Sequence, residues 1–126
     1  MLAPVLVLLV EDETLLQLSL GESLEEAGFT LVIKGNGTDA IAELTSDASK
    51  FNAVLTDIRL GKGPSGWDIG RHAREIVPDI PIVYMSGDSS GEWTSHGVPN
   101  SIMVEKPFVS AQIITALSTL LNKGSV

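Results

Sequence analysis

Short, continuously apolar segments that end in acidic residues constrain the fold of this chain more than any other feature. The clearest is Val5–Val10, which is followed at once by Glu11 and Asp12. A second segment, Ala53–Thr56, leads into Asp57. An uninterrupted apolar run is typical of a strand covered on both faces, as in a parallel sheet. These segments therefore predict a parallel sheet with carboxylates at the ends of its strands.

Helical patterns with recognisable ends separate the apolar segments. Gly28 is a stop signal for the first helix, and Asn36 is a cap for the second. Ser65 and Asp68 fit a capping box at the start of the third helix, and a last amphipathic helix is predicted over Val109–Leu121. Five strands alternating with helices predict an α/β three-layer sandwich with a flavodoxin-like, five-stranded parallel sheet.

The segment from Ser86 to Asn100 has no clear period, because glycine, serine and aspartate interrupt it. A helix of two turns or fewer, near Ser90–Ser95, is all that the pattern supports. Trp93 lies in this segment. Its indole either anchors the segment to the body of the domain or is exposed for a partner, and the sequence leaves both readings open.

Length, charge and cysteine content exclude several classes of function. The 126 residues suit one domain, predicted to span residues 1–126 without an output domain. A net charge of -8 argues against direct binding of nucleic acid or anionic membranes. The apolar N-terminus is too short to cross a bilayer. The chain has no cysteine, which excludes disulfides and thiolate metal sites. We expect a cytoplasmic protein.

Polar side chains at four strand ends are expected to meet at one edge of the sheet, since ligands bind beyond the carboxyl ends of parallel strands. They are Glu11 and Asp12, Asp57, Ser86 and Lys106. Two carboxylates about 4 Å apart repel by roughly 4 kcal/mol at an effective dielectric constant of about 20. Hard oxygen ligands without histidine or cysteine suit Mg²⁺. One carboxylate is then free to act as a nucleophile toward phosphorus.

Five motifs, in order along the chain, carry a resemblance to a known family. They are Leu9–Glu13, Thr56–Leu60, Ser65–Trp67, Pro81–Gly87 and Lys106–Phe108. The chain resembles the receiver domains of bacterial two-component response regulators over essentially its whole length. The resemblance implies a strand order of 2-1-3-4-5.

The resemblance also implies a role for each site residue. Asp57 corresponds to the phosphoacceptor and a metal ligand, and Asp12 to a direct Mg²⁺ ligand. Glu11 corresponds to the residue that holds a metal-bound water, and the backbone carbonyl of Arg59 to the third protein ligand.

Two further residues correspond to the groups that bind the phosphoryl oxygens in this family. They are Ser86 and Lys106, and the Lys106–Pro107 peptide bond is often cis in receivers. A receiver catalyses only its own phosphorylation and dephosphorylation, so we do not expect an enzyme in the conventional sense.

Two departures from the family pattern bear on signalling and on the metal site. Met103 occupies the position where most receivers have a switch aromatic. We therefore expect phosphorylation to reorganise the segment between Ser86 and Asn100 instead of rotating a ring. The loop after Asp57 has Gly61 where proline is common, and Lys62-Gly63 lengthens it slightly.

Two surfaces suggest partners. Leu15 and Leu18 lie off the core-facing stripe of the first helix, and the last helix, 110–122, has no charged residue. The family implies a sensor histidine kinase or histidine phosphotransfer protein beside the first helix. It also implies a downstream protein target, or a homodimer, at the face formed by helix four, strand five and helix five.

The sequence leaves other functions open besides that of a phosphoacceptor that signals by protein contact. The domain could serve as a phosphate sink or shuttle, as the excised receiver of a hybrid histidine kinase, or as a degenerate binding module. A Mg²⁺-dependent phosphohydrolase would want a second aspartate where Arg59 stands. In a flavin-binding relative, Glu11, Asp12 and Glu13 would repel the phosphate.

Overall fold

The structure, a computed structural model, describes residues 4–88 and 90–123. Its strands form one parallel sheet in the order β2-β1-β3-β4-β5, which confirms the predicted order. The strands are β1 (Val5–Val10), β2 (Phe29–Lys34), β3 (Ala53–Asp57), β4 (Ile82–Ser86) and β5 (Ile102–Glu105). The helices are α1 (Thr14–Glu26), α2 (Gly37–Asp47), α3 (Gly66–Ile76), α4 (Trp93–His96) and α5 (Ser110–Asn122).

Alternating side chains of the central strands fill two separate cores, one on each face of the sheet. In β1, Val7 and Leu9 pack on the α1/α5 side, and Leu8 and Val10 pack on the α2/α3 side. All four are fully buried. Because successive side chains of a strand point to opposite faces, a strand covered by helices on both sides must be apolar throughout.

Local capping fixes where α2 and α3 begin, and therefore where the preceding loops end. The side chain of Asn36 accepts a hydrogen bond from the N–H of Asp39 at 2.8 Å. Ser65 and Asp68 form the predicted capping box. Such caps satisfy N–H groups that have no partner inside the helix.

The connection between β4 and β5 is attached firmly at its distal end. The hydroxyl of Tyr84 accepts a hydrogen bond from the N–H of Val98 at 3.2 Å. The guanidinium of Arg74 donates to the carbonyl of Pro99 at 2.6 Å. The indole N–H of Trp93 donates to Ser101 at 2.9 Å, although 37% of the Trp93 surface stays exposed. Trp93 is therefore an anchor that also presents part of its ring to solvent.

Sequence and structure differ in detail in this connection and at the strand ends. The helix expected near Ser90–Ser95 is a 3₁₀ turn, Ser90–Glu92, followed by the single turn of α4. The apolar runs predict that the last three strands end at Thr56, Met85 and Val104. Strands β3, β4 and β5 each end one residue later, because Asp57, Ser86 and Glu105 still pair with the neighbouring strands. Among the described residues, no helix is long and apolar enough to cross a membrane.

Candidate functional site

Three carboxylates meet at the carboxyl edge of the sheet, as the strand ends predict. Glu11 and Asp12 follow β1, and Asp57 is the last residue of β3. One oxygen from each lies within 4.8 Å of the others. Glu11 and Asp57 are buried, and Asp12 is exposed. This arrangement offers hard oxygen ligands on one open side, which fits a divalent cation such as Mg²⁺.

Lys106 partly neutralises this cluster. Its ammonium lies 3.0 Å from Oδ2 of Asp57 and 3.3 Å from Oε1 of Glu11. Burial alone would lower the pKa of Lys106, but the hydrogen bond and charge of Asp57, together with Glu11, raise that pKa above its usual value. Lys106 therefore stays charged. The Lys106–Pro107 peptide bond is cis, as the resemblance suggests.

Glu11 is the carboxylate most affected by its surroundings. Burial raises its pKa to about 7, and the charge of Asp57 adds to the shift. The hydrogen bond from the N–H of Glu13, 3.0 Å from Oε2, and the charge of Lys106 act in the opposite direction. The side-chain amide of Gln17 also donates to the backbone carbonyl of Glu11. These contacts fix the loop between β1 and α1.

Ser86 is the last residue of β4, the strand next to β3, and Arg59 lies in the loop two residues after Asp57. Ser86 is buried, its hydroxyl accepts a hydrogen bond from the N–H of Asp88, and its carbonyl accepts one from the N–H of Lys106 at 2.7 Å. The side chain of Arg59 is 73% exposed and forms an ion pair with Asp88 at 3.0 Å. The roles predicted for the Ser86 hydroxyl and the Arg59 carbonyl stay predictions.

Two residues around the site were not predicted from the sequence. Gln17 supports the acidic loop from one turn inside α1, and Asp88 ties the loop after β4 to Arg59. Neither has a local signature, since each depends on a contact between different elements of the fold. An aspartate two residues after Ser86 does not by itself indicate a contact with Arg59.

The fold and the acidic edge together define a phosphoacceptor type of signalling domain. A parallel sheet of order 2-1-3-4-5 holds carboxylates and a lysine together at its carboxyl edge. The family profile of the response regulator receiver domain matches residues 7–118. The chain belongs to this family, the receiver domains of two-component response regulators.

Relatives and solved structures agree with this assignment. The chain is 30% identical over 121 residues to the transcriptional regulatory protein CusR of Escherichia coli (strain K12), covering 94% of this chain and 52% of CusR. It thus spans about half the length of that relative. A response regulator receiver protein from Sinorhizobium medicae WSM419 is 50% identical, with a TM-score of 0.91 over 94% of this chain and 95% of the other.

A third match shares the fold at lower identity. It is the receiver domain of the sensor histidine kinase PA1611 from Pseudomonas aeruginosa PAO1, which has a magnesium ion coordinated in its active-site cleft. The TM-score is 0.81 at 23% identity, over 95% of this chain and 99% of the other.

We predict that the metal-free domain loses stability as the pH rises from about 4.5 to about 7. Glu11 keeps its proton up to about pH 7 in the folded state, whereas its ordinary pKa is 4.5. The folded state therefore binds more protons in this window, and raising the pH favours unfolding. The loss is at most about 3.5 kcal/mol, since one pKa unit corresponds to ~1.4 kcal/mol.

Urea unfolding in EDTA at several pH values measures this loss. Glu11→Gln retains a side-chain oxygen for the N–H of Glu13 but cannot ionise, so its free energy of unfolding should lack this part of the pH slope. Equal slopes for the wild type and the variant would contradict the prediction.

Proposed function

We propose that this domain accepts a phosphoryl group on Asp57 from a histidine kinase or a histidine phosphotransfer protein. One observation carries the proposal: a buried carboxylate at the end of β3 lies beside two other carboxylates and 3.0 Å from the ammonium of Lys106. An oxygen of Asp57 would attack phosphorus as the bond from phosphorus to the donor nitrogen breaks. The electron pair of that bond stays with the donor imidazole.

The donor set supports Mg²⁺ as the cofactor. In this proposal Asp12 and Asp57 supply carboxylate ligands, Glu11 holds a metal-bound water, and the backbone carbonyl of Arg59 completes the protein ligands. No histidine lies among the clustered acids, and an all-oxygen set suits Mg²⁺ better than a softer metal. When bound, the ion supplies positive charge to the phosphoryl oxygens.

Lys106 and Ser86 are proposed to bind the transferred group. Lys106 already bridges Asp57 and Glu11, so its ammonium needs only a small shift to reach a phosphoryl oxygen. Ser86, buried at the end of β4, would donate its hydroxyl to another. Charge that is positioned before the reaction stabilises charge that develops during it.

Labelling by a small phosphodonor tests the assignment of Asp57. Wild type incubated with acetyl phosphate and Mg²⁺ should become phosphorylated, as read by intact-mass spectrometry. Asp57→Asn should show no labelling, because the amide oxygen is a poor nucleophile toward phosphorus. Asp79→Asn, at an exposed position outside the acidic cluster, is the matched control and should label like wild type. Labelling that persists in Asp57→Asn would overturn the assignment.

The exposed leucines of α1 are the proposed contact for the phosphodonor protein. Leu15 is 75% exposed and Leu18 is 59% exposed. They lie on the first turns of α1, next to the loop that carries Glu11 and Asp12. A partner that covers them would stand beside the acidic edge, where its phosphohistidine must approach.

Replacing Leu15 and Leu18 together with serine should slow phosphotransfer by roughly thirtyfold, since apolar residues at an interface core each contribute on the order of 1 kcal/mol and ~1.4 kcal/mol is a factor of ten. The donor is whichever member of a panel of autophosphorylated histidine kinases labels the wild type fastest. Labelling by acetyl phosphate should be unchanged. Ile76→Ser, an exposed apolar position on α3, is the matched control. Equal loss with both donors would mean that the substitution damages the fold.

Signalling is proposed to use the connection between β4 and β5 and the adjacent face of β5 and α5. The distal part of the connection, Val98–Ser101, is tied to Tyr84 and Arg74. The proximal part that the structure describes, residues 87–88 and 90–92, begins directly after Ser86. A phosphoryl group that draws the Ser86 hydroxyl toward Asp57 would therefore move the proximal part first.

Amide hydrogen exchange with and without beryllofluoride, a phosphoryl mimic, tests this relay. Protection should change among the amides of residues 87–88 and 90–92 and much less at Val98–Ser101, because hydrogen bonds from two other elements hold the latter. Asp57→Asn with beryllofluoride is the control and should show no change. Identical protection across the whole connection in both states would rule the relay out.

A further inference from the structure

The loop after Asp57 carries the predicted carbonyl ligand and is closed at its base. The N–H of Gly66 donates to the carbonyl of Ile58 at 2.8 Å. Ile58 and Leu60 are buried, and Arg59 between them turns its side chain to solvent. The backbone of Arg59 is thus held between two core residues. The orientation of its carbonyl group depends on the path of the rest of the loop.

The end of this loop, at Pro64, packs closely against Gly37, the first residue of α2. Gly37 is buried, and a Cβ atom there would overlap the carbonyl oxygen of Pro64. That Cβ would also lie 2.8 Å from the carbonyl carbon and 2.9 Å from Cβ of Pro64. Gly37 is not among the residues with positive φ. Glycine is therefore required here by the close approach of Pro64 and not by the backbone conformation.

The loop needs this contact with α2 because its own sequence allows many backbone conformations. Gly61 and Gly63 both adopt positive φ, at 71° and 93°. Glycine-rich segments have many accessible conformations, and fixing one of them has an entropic cost. Contact with a helix that is itself capped by Asn36 removes part of this freedom.

We propose that Gly37 is a positioning residue for the metal site. By letting α2 approach Pro64, it sets the path of residues 59–64 and hence the position of the Arg59 carbonyl oxygen. The inference rests on the proposed function, in which that oxygen binds Mg²⁺. The start of α2 contributes no group to the acidic cluster. In this proposal it nevertheless controls the affinity of the site for Mg²⁺.

Gly37→Ala tests the proposal, with Gly35→Ala as the matched control. Alanine at position 37 favours the helix but forces Pro64 away. At position 35 the new Cβ would lie 3.7 Å from Nε2 of Gln17, an ordinary contact. The Kd for Mg²⁺, measured by calorimetry, should rise about tenfold in Gly37→Ala, a typical effect of losing support behind a ligand. It should stay within about twofold in Gly35→Ala.

A second readout separates positioning from general damage. With acetyl phosphate as donor, the Mg²⁺ concentration that gives half the maximal labelling rate should rise as the Kd does, whereas the rate at saturating Mg²⁺ should stay within about twofold. Circular dichroism and urea unfolding in EDTA report on the fold. A folded Gly37→Ala with the wild-type Kd for Mg²⁺ would overturn the proposal.

If Gly37→Ala fails to fold, Pro64→Gly provides the test without a clash. It removes the ring that packs on α2 and loosens the loop, so the Kd for Mg²⁺ should rise in the same direction. An unchanged Kd would overturn the proposal. A wild type that neither binds Mg²⁺ nor becomes labelled on Asp57 would instead show that the proposed function is wrong.

Discussion

The salt-bridged contact of Lys106 with Glu11 and Asp57 is the interaction on which the carboxyl edge of the sheet depends. Two carboxylates buried side by side repel each other, and leaving either without a cation would be strongly destabilising. The ammonium reaches both, at 3.0 and 3.3 Å. It can do so only because β5, four residues long, keeps its register with β4 and delivers Lys106 through a backbone bond to Ser86. The shortest strand thus holds the site together.

The same contact leaves the edge incompletely neutralised, and this supports a divalent cation there. When all four groups are ionised, the three carboxylates and the ammonium carry a net charge of -2. The high pKa of Glu11 is one way for the protein to reduce that charge, by retaining a proton. A doubly charged cation on the exposed side of Asp12 would do so without protonation. The unneutralised negative charge therefore favours the binding of a divalent cation at this edge.

Much of the fold and the acidic site could be predicted from the sequence because both follow from local patterns. The apolar runs predicted the strands to within about a residue, and Asn36 and Ser65 marked helix starts that the structure confirms. Glu11, Asp12 and Asp57 come together because parallel strands end at the same edge. The contacts of Gln17, Asp88 and Gly37 could not be predicted. Each joins segments distant along the chain, and nothing in the residue type or its neighbours indicates the partner.

Position 103 holds a methionine where most receivers have a switch aromatic, and the neighbouring strand β4 offers a physical reason. Tyr84 on β4 pairs directly with Met103 on β5, and its fully buried ring packs on Trp67 with centroids 4.8 Å apart. The backbone of Gly70 leaves room for the Tyr84 hydroxyl, because a Cβ there would overlap it. The aromatic side chain of this strand pair thus lies on β4, where Trp67, Gly70 and Val98 enclose it. The contacts with Trp67, Gly70 and Val98 hold this ring in one position, so a relay would run through the backbone that directly follows Ser86. This supports a relay through the β4–β5 connection.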